Sequence, residues 1–124
     1  MFLESPDAVK KVFQARHSGL DHEVFDVAFL THRHTLIEVR TMWEGDISSY
    51  SVYPAMLAKA CLELSASAII LSHPHPSQIT TQSRADIDIT AKIQKVCALI
   101  EVRVLDQIIT SDGGCTSLAE RGEM

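Results

Sequence analysis

Cysteine is scarce: three residues in 124, Cys61, Cys97 and Cys115, widely spaced and never in a C-x-x-C pair. That excludes a disulfide framework and a thiolate zinc knuckle, and a reducing cytoplasm is the expected compartment. Clustered positive charge is also lacking. Eleven Lys and Arg stand against sixteen Asp and Glu, a net charge of −5, and only Lys10 and Lys11 are adjacent. No footprint for a phosphate backbone is visible, so direct nucleic-acid binding is not expected. The longest apolar run, around Ala68–Leu71, falls far short of the roughly 20 residues a bilayer-spanning helix needs, and no charged-then-apolar leader opens the chain. Neither membrane association nor export is expected. Glycine and proline number only five and four, while 46% of residues are apolar and 22% charged. This balance excludes disordered and collagen-like chains, and the length suits one core and not two, so residues 1–124 read as a single domain.

Helices and strands alternate along the chain. Ser5-Pro6-Asp7 reads as a cap with proline at the first helical position, and Val9, Val12 and Phe13 recur at helical spacing up to about His17. Val24–Leu30 and Thr35–Trp43 are rich in strand formers on either side of a polar turn at Thr31–His34. Pro54 opens a second helix whose Met56, Leu57, Ala60, Cys61 and Leu64 form one face. Ala68-Ile69-Ile70-Leu71 reads as a strand buried on both sides at the centre of the sheet. Ser72–Gln82 is polar and turn-rich. Ser83 caps a third helix with Ile87, Ala91, Ile93, Val96, Leu99 and Ile100 on its apolar side. Val102–Thr110 alternates as a strand, Ser111–Gly114 turns, and a short strand follows near Cys115–Leu118. The class is α/β (α+β), a mixed β-sheet sandwiched by helices.

The chemistry concentrates in His73-Pro74-His75-Pro76, just beyond the central strand, where sites in such sheets are built. Each proline disfavours helical backbone in the residue before it, so His73 and His75 are held extended. Two residues apart, their imidazoles can point to one side, about 6–7 Å apart at Cα, close enough to bridge one ion. Asp86, in the first turn of the next helix, can supply a third ligand. Two nitrogens and a carboxylate oxygen leave one tetrahedral position open, the pattern of a catalytic zinc. On spacing alone, solvated loop histidines and a helix-terminal acid remain an alternative. His32 and His34 repeat the H-x-H spacing in a turn without a helix-borne Asp and read as solvated. His17 and His22 have no company in the sequence that singles them out.

His73-x-His75, seven residues, Ser83, two residues, Asp86 resembles the full signature of the JAMM (MPN+) metalloprotease fold. The flanking text is similar to the RadC-type (UPF0758) branch of that superfamily. Val52-Tyr53-Pro54, His73-Pro74-His75-Pro76-Ser77, Leu105-Asp106-Gln107-Ile108-Ile109 and Ser117-Leu118-Ala119-Glu120-Arg121-Gly122 stand where its members read V-x-P-R-E, H-N-H-P-S-G, L-D-H-I-I and S-F-A-E-R-G. The resemblance implies a JAB1/MPN, cytidine-deaminase-like architecture, without the N-terminal helix-hairpin-helix region of longer members. It implies one Zn²⁺ per chain held by His73, His75 and Asp86. It further implies Glu23 as general base and Ser83 as oxyanion donor, with Asp88 off the motif spacing. Ser83 also has a structural role as a helix cap, and one hydroxyl can serve both. A zinc-dependent hydrolase of peptide or isopeptide bonds is the expected activity. A non-catalytic MPN-type interaction module and a DNA-repair role, the family's historical label, are the alternatives, and homo-oligomerisation is left open. Pro74 for Asn, Gln78 for Gly, Ala55-Met56 for Arg-Glu, Thr31 at a Leu-Asp pair and Gln107 for His depart from the family pattern. None of these removes a ligand, base or oxyanion donor.

Overall fold

A computed structural model describes residues 6–45, 53–75, 84–112 and 114–124. Helix α1 (Pro6–His17) starts on proline, whose missing N–H costs nothing in a first turn. Its Val9, Phe13 and His17, four apart, form one buried stripe. Strands β1 (Val24–Leu30) and β2 (Leu36–Glu44) pair antiparallel. Thr31 fixes their turn: its Oγ1 accepts from the N–H of Arg33 and of Thr35, at 3.3 and 3.1 Å. Helix α2 (Pro54–Leu64) ends where Ser65 turns left-handed and its N–H closes back on the carbonyls of Cys61 and Leu62. Strand β3 (Ala68–Pro74), helix α3 (Arg84–Leu99), strand β4 (Arg103–Ser111) and the short β5 (Gly114–Ser117) complete the order.

The five strands form one sheet in the order β2-β1-β3-β4-β5, with β3 and β4 parallel and the other pairs antiparallel. A parallel pair needs a long crossover, and α3 supplies it. Side chains alternate across the sheet. Phe25, Val27, Phe29, Ile69 and Leu71 point to one face and pack on Leu57 and Cys61 of α2 and on Ile89, Ile93 and Cys97 of α3. Ala28, Leu30, Ala68, Ile70 and Ile108 point to the other and meet Val9 and Phe13 of α1. Burying each of the larger side chains contributes about 1.5–3 kcal/mol, so both faces are held firmly. No helix among the described residues is long and apolar enough to cross a membrane.

Two expectations need correction. The central strand continues past Leu71 through Pro74, because β4 offers Ile108, Ile109 and Thr110 as parallel partners to Ser72, His73 and Pro74. Proline is tolerated there because the N–H that pairs this end of the strand with β4 comes from His75, which donates to the Thr110 carbonyl. The buried face of α3 is also rotated from the apolar face read in the sequence. Asp86, Ile89, Thr90, Ile93 and Cys97 are buried, whereas Ala91 is exposed and Leu99 is 84% exposed. Two polar residues belong to the inward stripe, so apolar spacing alone mis-phases the helix. On α2, Leu57, Ala60 and Cys61 face inward as expected, but Met56 is 52% exposed.

Candidate metal centre

Alternation along β3 sends Ile69 and Leu71, and with them His73, to the α2/α3 face. The His73 ring stacks on Phe25 of the neighbouring strand, with centroids 5.9 Å apart and planes 11° from parallel. His75 continues the strand direction, its N–H donating to the Thr110 carbonyl at 2.8 Å. The two imidazole centroids are 5.3 Å apart. Asp86, at the start of α3, lies between them: Oδ1 is 2.7 Å from His73 Nε2 and Oδ2 is 3.1 Å from His75 Nε2. One ligand atom from each residue falls within 4.8 Å of the other two. The side chains of His73 and Asp86 are 4% and 6% exposed, and that of His75 is 18% exposed. An ion held here would be reached from the His75 side.

The donor set suits zinc: two imidazole nitrogens and a carboxylate oxygen, aimed at one point and largely dry. Helix α3 is what brings the carboxylate in, since its first turn packs against the end of β3. Behind His73, Gln107 of β4 is fully buried, its amide nitrogen 3.0 Å from His73 Nδ1. Its Oε1 is in close contact with Thr90 Oγ1, which also lies 2.8 Å from the Asp86 carbonyl. The sequence reading marked Gln107 only as a departure and missed Thr90. The signal for both was their place, one on the strand beside His73 and one a single turn after Asp86.

Glu23 stands one residue before β1 and is half-buried, its carbonyl accepting from Gly45 N–H at 3.0 Å. The β1–β3 ladder runs from Leu30↔Ala68 to Asp26↔Ser72, so Glu23 lies three residues beyond its end. Ser83 lies outside the described residues, as do Pro76, Ser77 and Gln78. Asp88 is on the exposed side of α3 and pairs with Arg84 at 3.2 Å. His32 and His34 stay in the β1–β2 turn and join no such donor group, and His34 Nε2 is 3.1 Å from an Arg103 guanidinium nitrogen.

A family profile described as the RadC-like JAB domain matches residues 3–123. The chain belongs to the RadC-like JAB domain family. It is 42% identical over 120 residues to a UPF0758 protein of Vibrio cholerae, covering 97% of this chain and 76% of that one. UPF0758 proteins of Azotobacter vinelandii and Alcanivorax borkumensis are 41% and 39% identical over 97% of this chain. The RadC-like JAB domain spans about half of those two relatives, 54% of each.

A second buried polar group lies on the α1 face, where the sequence had singled out nothing. His17 sits between Asp26 and Thr110, its Nε2 2.8 Å from Asp26 Oδ2 and its Nδ1 2.7 Å from Thr110 Oγ1. Asp26 also accepts from Thr41 Oγ1 at 2.6 Å and from Arg16 Nε at 3.1 Å. Burial alone would raise the Asp26 pKa, but the donors His17, Thr41 and Arg16 together hold it below the ordinary carboxylate value. A cleft of about 260 Å³ opens beside this group, lined by Gln14, His17, Thr110 and Asp112 and reaching His75. His22, by contrast, is exposed beside Asp21.

Proposed function

We propose that this RadC-like JAB domain is a zinc-dependent hydrolase that cleaves amide or isopeptide bonds. The observation that carries the reading is the convergence of His73, His75 and Asp86 within 4.8 Å at the end of the central strand. Zinc held there would supply a Lewis acid for the scissile carbonyl and lower the pKa of the water it binds. His73 and His75 would hold the ion, and the Asp86 carboxylate would balance part of its charge.

Glu23 is the proton carrier in this reading. Its carboxylate would take a proton from the attacking water and return it to the leaving nitrogen. Ser83, the residue before α3 in the sequence, is the oxyanion donor of this reading. The cleft that reaches His75 offers an approach for a peptide or isopeptide segment. The fate of MPN domains that serve only as interaction modules is usually marked by lost ligands, and none is lost here.

The test begins by screening peptide and isopeptide conjugates against the zinc-loaded wild type. Glu23→Gln should keep zinc and fold, the amide being nearly isosteric, yet slow cleavage by about 10²–10⁴. Ser83→Ala should spare zinc and slow cleavage by about 10²–10³. Cleavage by Glu23→Gln at the wild-type rate would overturn the mechanism.

A further inference from the structure

Four residues from three elements form a closed ring of polar contacts around the first ligand. Asp86 Oδ1 meets His73 Nε2 at 2.7 Å. His73 Nδ1 meets the Gln107 amide nitrogen at 3.0 Å. The Gln107 Oε1 meets Thr90 Oγ1, which meets the Asp86 carbonyl at 2.8 Å. His73, Asp86, Thr90 and Gln107 are all at most 4% exposed, so water cannot repair a mismatch within the ring. Each hydrogen in it must therefore be assigned by valence.

Without an ion the assignment is unique for a neutral His73. The Asp86 carboxylate only accepts, so Nε2 carries the hydrogen and Nδ1 is a bare lone pair. Gln107 then donates its N–H to Nδ1, and the Thr90 hydroxyl donates to Gln107 Oε1. An ion on Nε2 needs the lone pair there, so one proton leaves Nε2 for solvent and one is taken up at Nδ1. The Gln107 N–H would then face an N–H. A half turn of the amide removes the conflict: Oε1 accepts from Nδ1–H, the amide N–H donates to Thr90 Oγ1, and the Thr90 hydrogen goes to the Asp86 carbonyl already within reach. The contacts from His73 to Gln107 and from Gln107 to Thr90 then each have one donor and one acceptor in both arrangements.

We propose that Gln107, backed by Thr90, is the positioning residue of the metal centre, an amide that turns over to hold the His73 ring in both the empty and the loaded state. The proposal rests on the metal-centre reading above. An amide meets both demands, whereas a carboxylate at 107 can serve the loaded ring alone and an apolar side chain serves neither. Gln107 is not a catalytic residue, since it touches the ligand's rear nitrogen and not the reacting atoms. Such partners of a ligating histidine fix its tautomer and orientation, and losing one typically weakens metal binding by 10–100-fold.

The experiment measures zinc affinity of the full chain by competition with a chromophoric chelator, for wild type, Gln107→Met and Gln107→Glu. Imidazole ¹⁵N spectra of the wild type, with and without zinc, report the His73 tautomer and require no variant to fold. The expected results are a loss of about 10–100-fold for Gln107→Met, affinity at or above wild type for Gln107→Glu, and a hydrogen that moves from Nε2 to Nδ1 on zinc binding. If Gln107→Met binds zinc as tightly as a zinc-binding wild type, if Gln107→Glu binds more weakly than Gln107→Met, or if His73 keeps one tautomer throughout, this proposal alone fails. A wild type that takes up no zinc would instead overturn the metal-centre reading beneath it.

Discussion

Replacing Asp26 by alanine tests the fold's account of the α1 face without touching the metal centre. The Asp26 side chain is 2% exposed and gathers donors from His17, Thr41 and Arg16. Its removal orphans the His17 Nε2–H, itself 3% exposed, and the Thr41 hydroxyl, whereas Arg16 is 38% exposed and can turn to water. Leaving these two buried donors unpaired, at about 1–3 kcal/mol each, costs about 3–5 kcal/mol together. At about 4 °C per kcal/mol for a chain of this size, the melting temperature at pH 7 should fall by roughly 12–20 °C. The pH dependence has a definite sign. Because the folded pKa of Asp26 lies below the ordinary 3.8, its contribution is full above that value and is lost as pH falls through the folded value. The gap between wild type and Asp26→Ala, followed by circular dichroism, should therefore hold from pH 7 to about pH 5 and narrow below about pH 4. A gap under about 1 kcal/mol at pH 7, or one that widens on acidification, would refute the reasoning.

Asp86→Asn should weaken zinc binding strongly in a chelator competition. Asp88→Asn should leave binding unchanged and shift stability by less than about 0.5 kcal/mol, because Asp88 and its Arg84 partner are 53% and 86% exposed. A thiol reagent applied to the native protein should modify Cys115 and spare Cys61 and Cys97 until unfolding, as mass spectrometry would show. Cys61 and Cys97 are fully buried, and the hydrogen bond that the Cys61 thiol donates to Cys97, together with burial, holds Cys61 well above its usual range.

The order of helices and strands was legible in the sequence, because the apolar runs Val24–Leu30 and Ala68–Leu71 can only be buried strands and Pro6 and Pro54 open helices. The cluster that could hold a metal was legible too, since H-x-H at a strand's end and an acid on the following helix are local signals. What was not legible depends on topology. His17 and Thr110 are far apart in the chain and meet only because α1 packs across the ends of β1 and β4. Asp26 did carry a signal, an acid within an apolar strand that must find a partner on the face opposite Phe25. The phase of α3 was hidden because Asp86 and Thr90 point inward to polar partners. Gln107 gave no sign of its contact with His73 until β4 was seen to run parallel beside it.

The central claim is that His73, His75 and Asp86 hold a metal ion, and elemental analysis of protein purified without added metal tests it most directly. The account predicts about one zinc per chain, lost in His73→Ala and in His75→Ala and retained in His32→Ala and His34→Ala. A wild type without zinc, or equal loss from both histidine pairs, would contradict it.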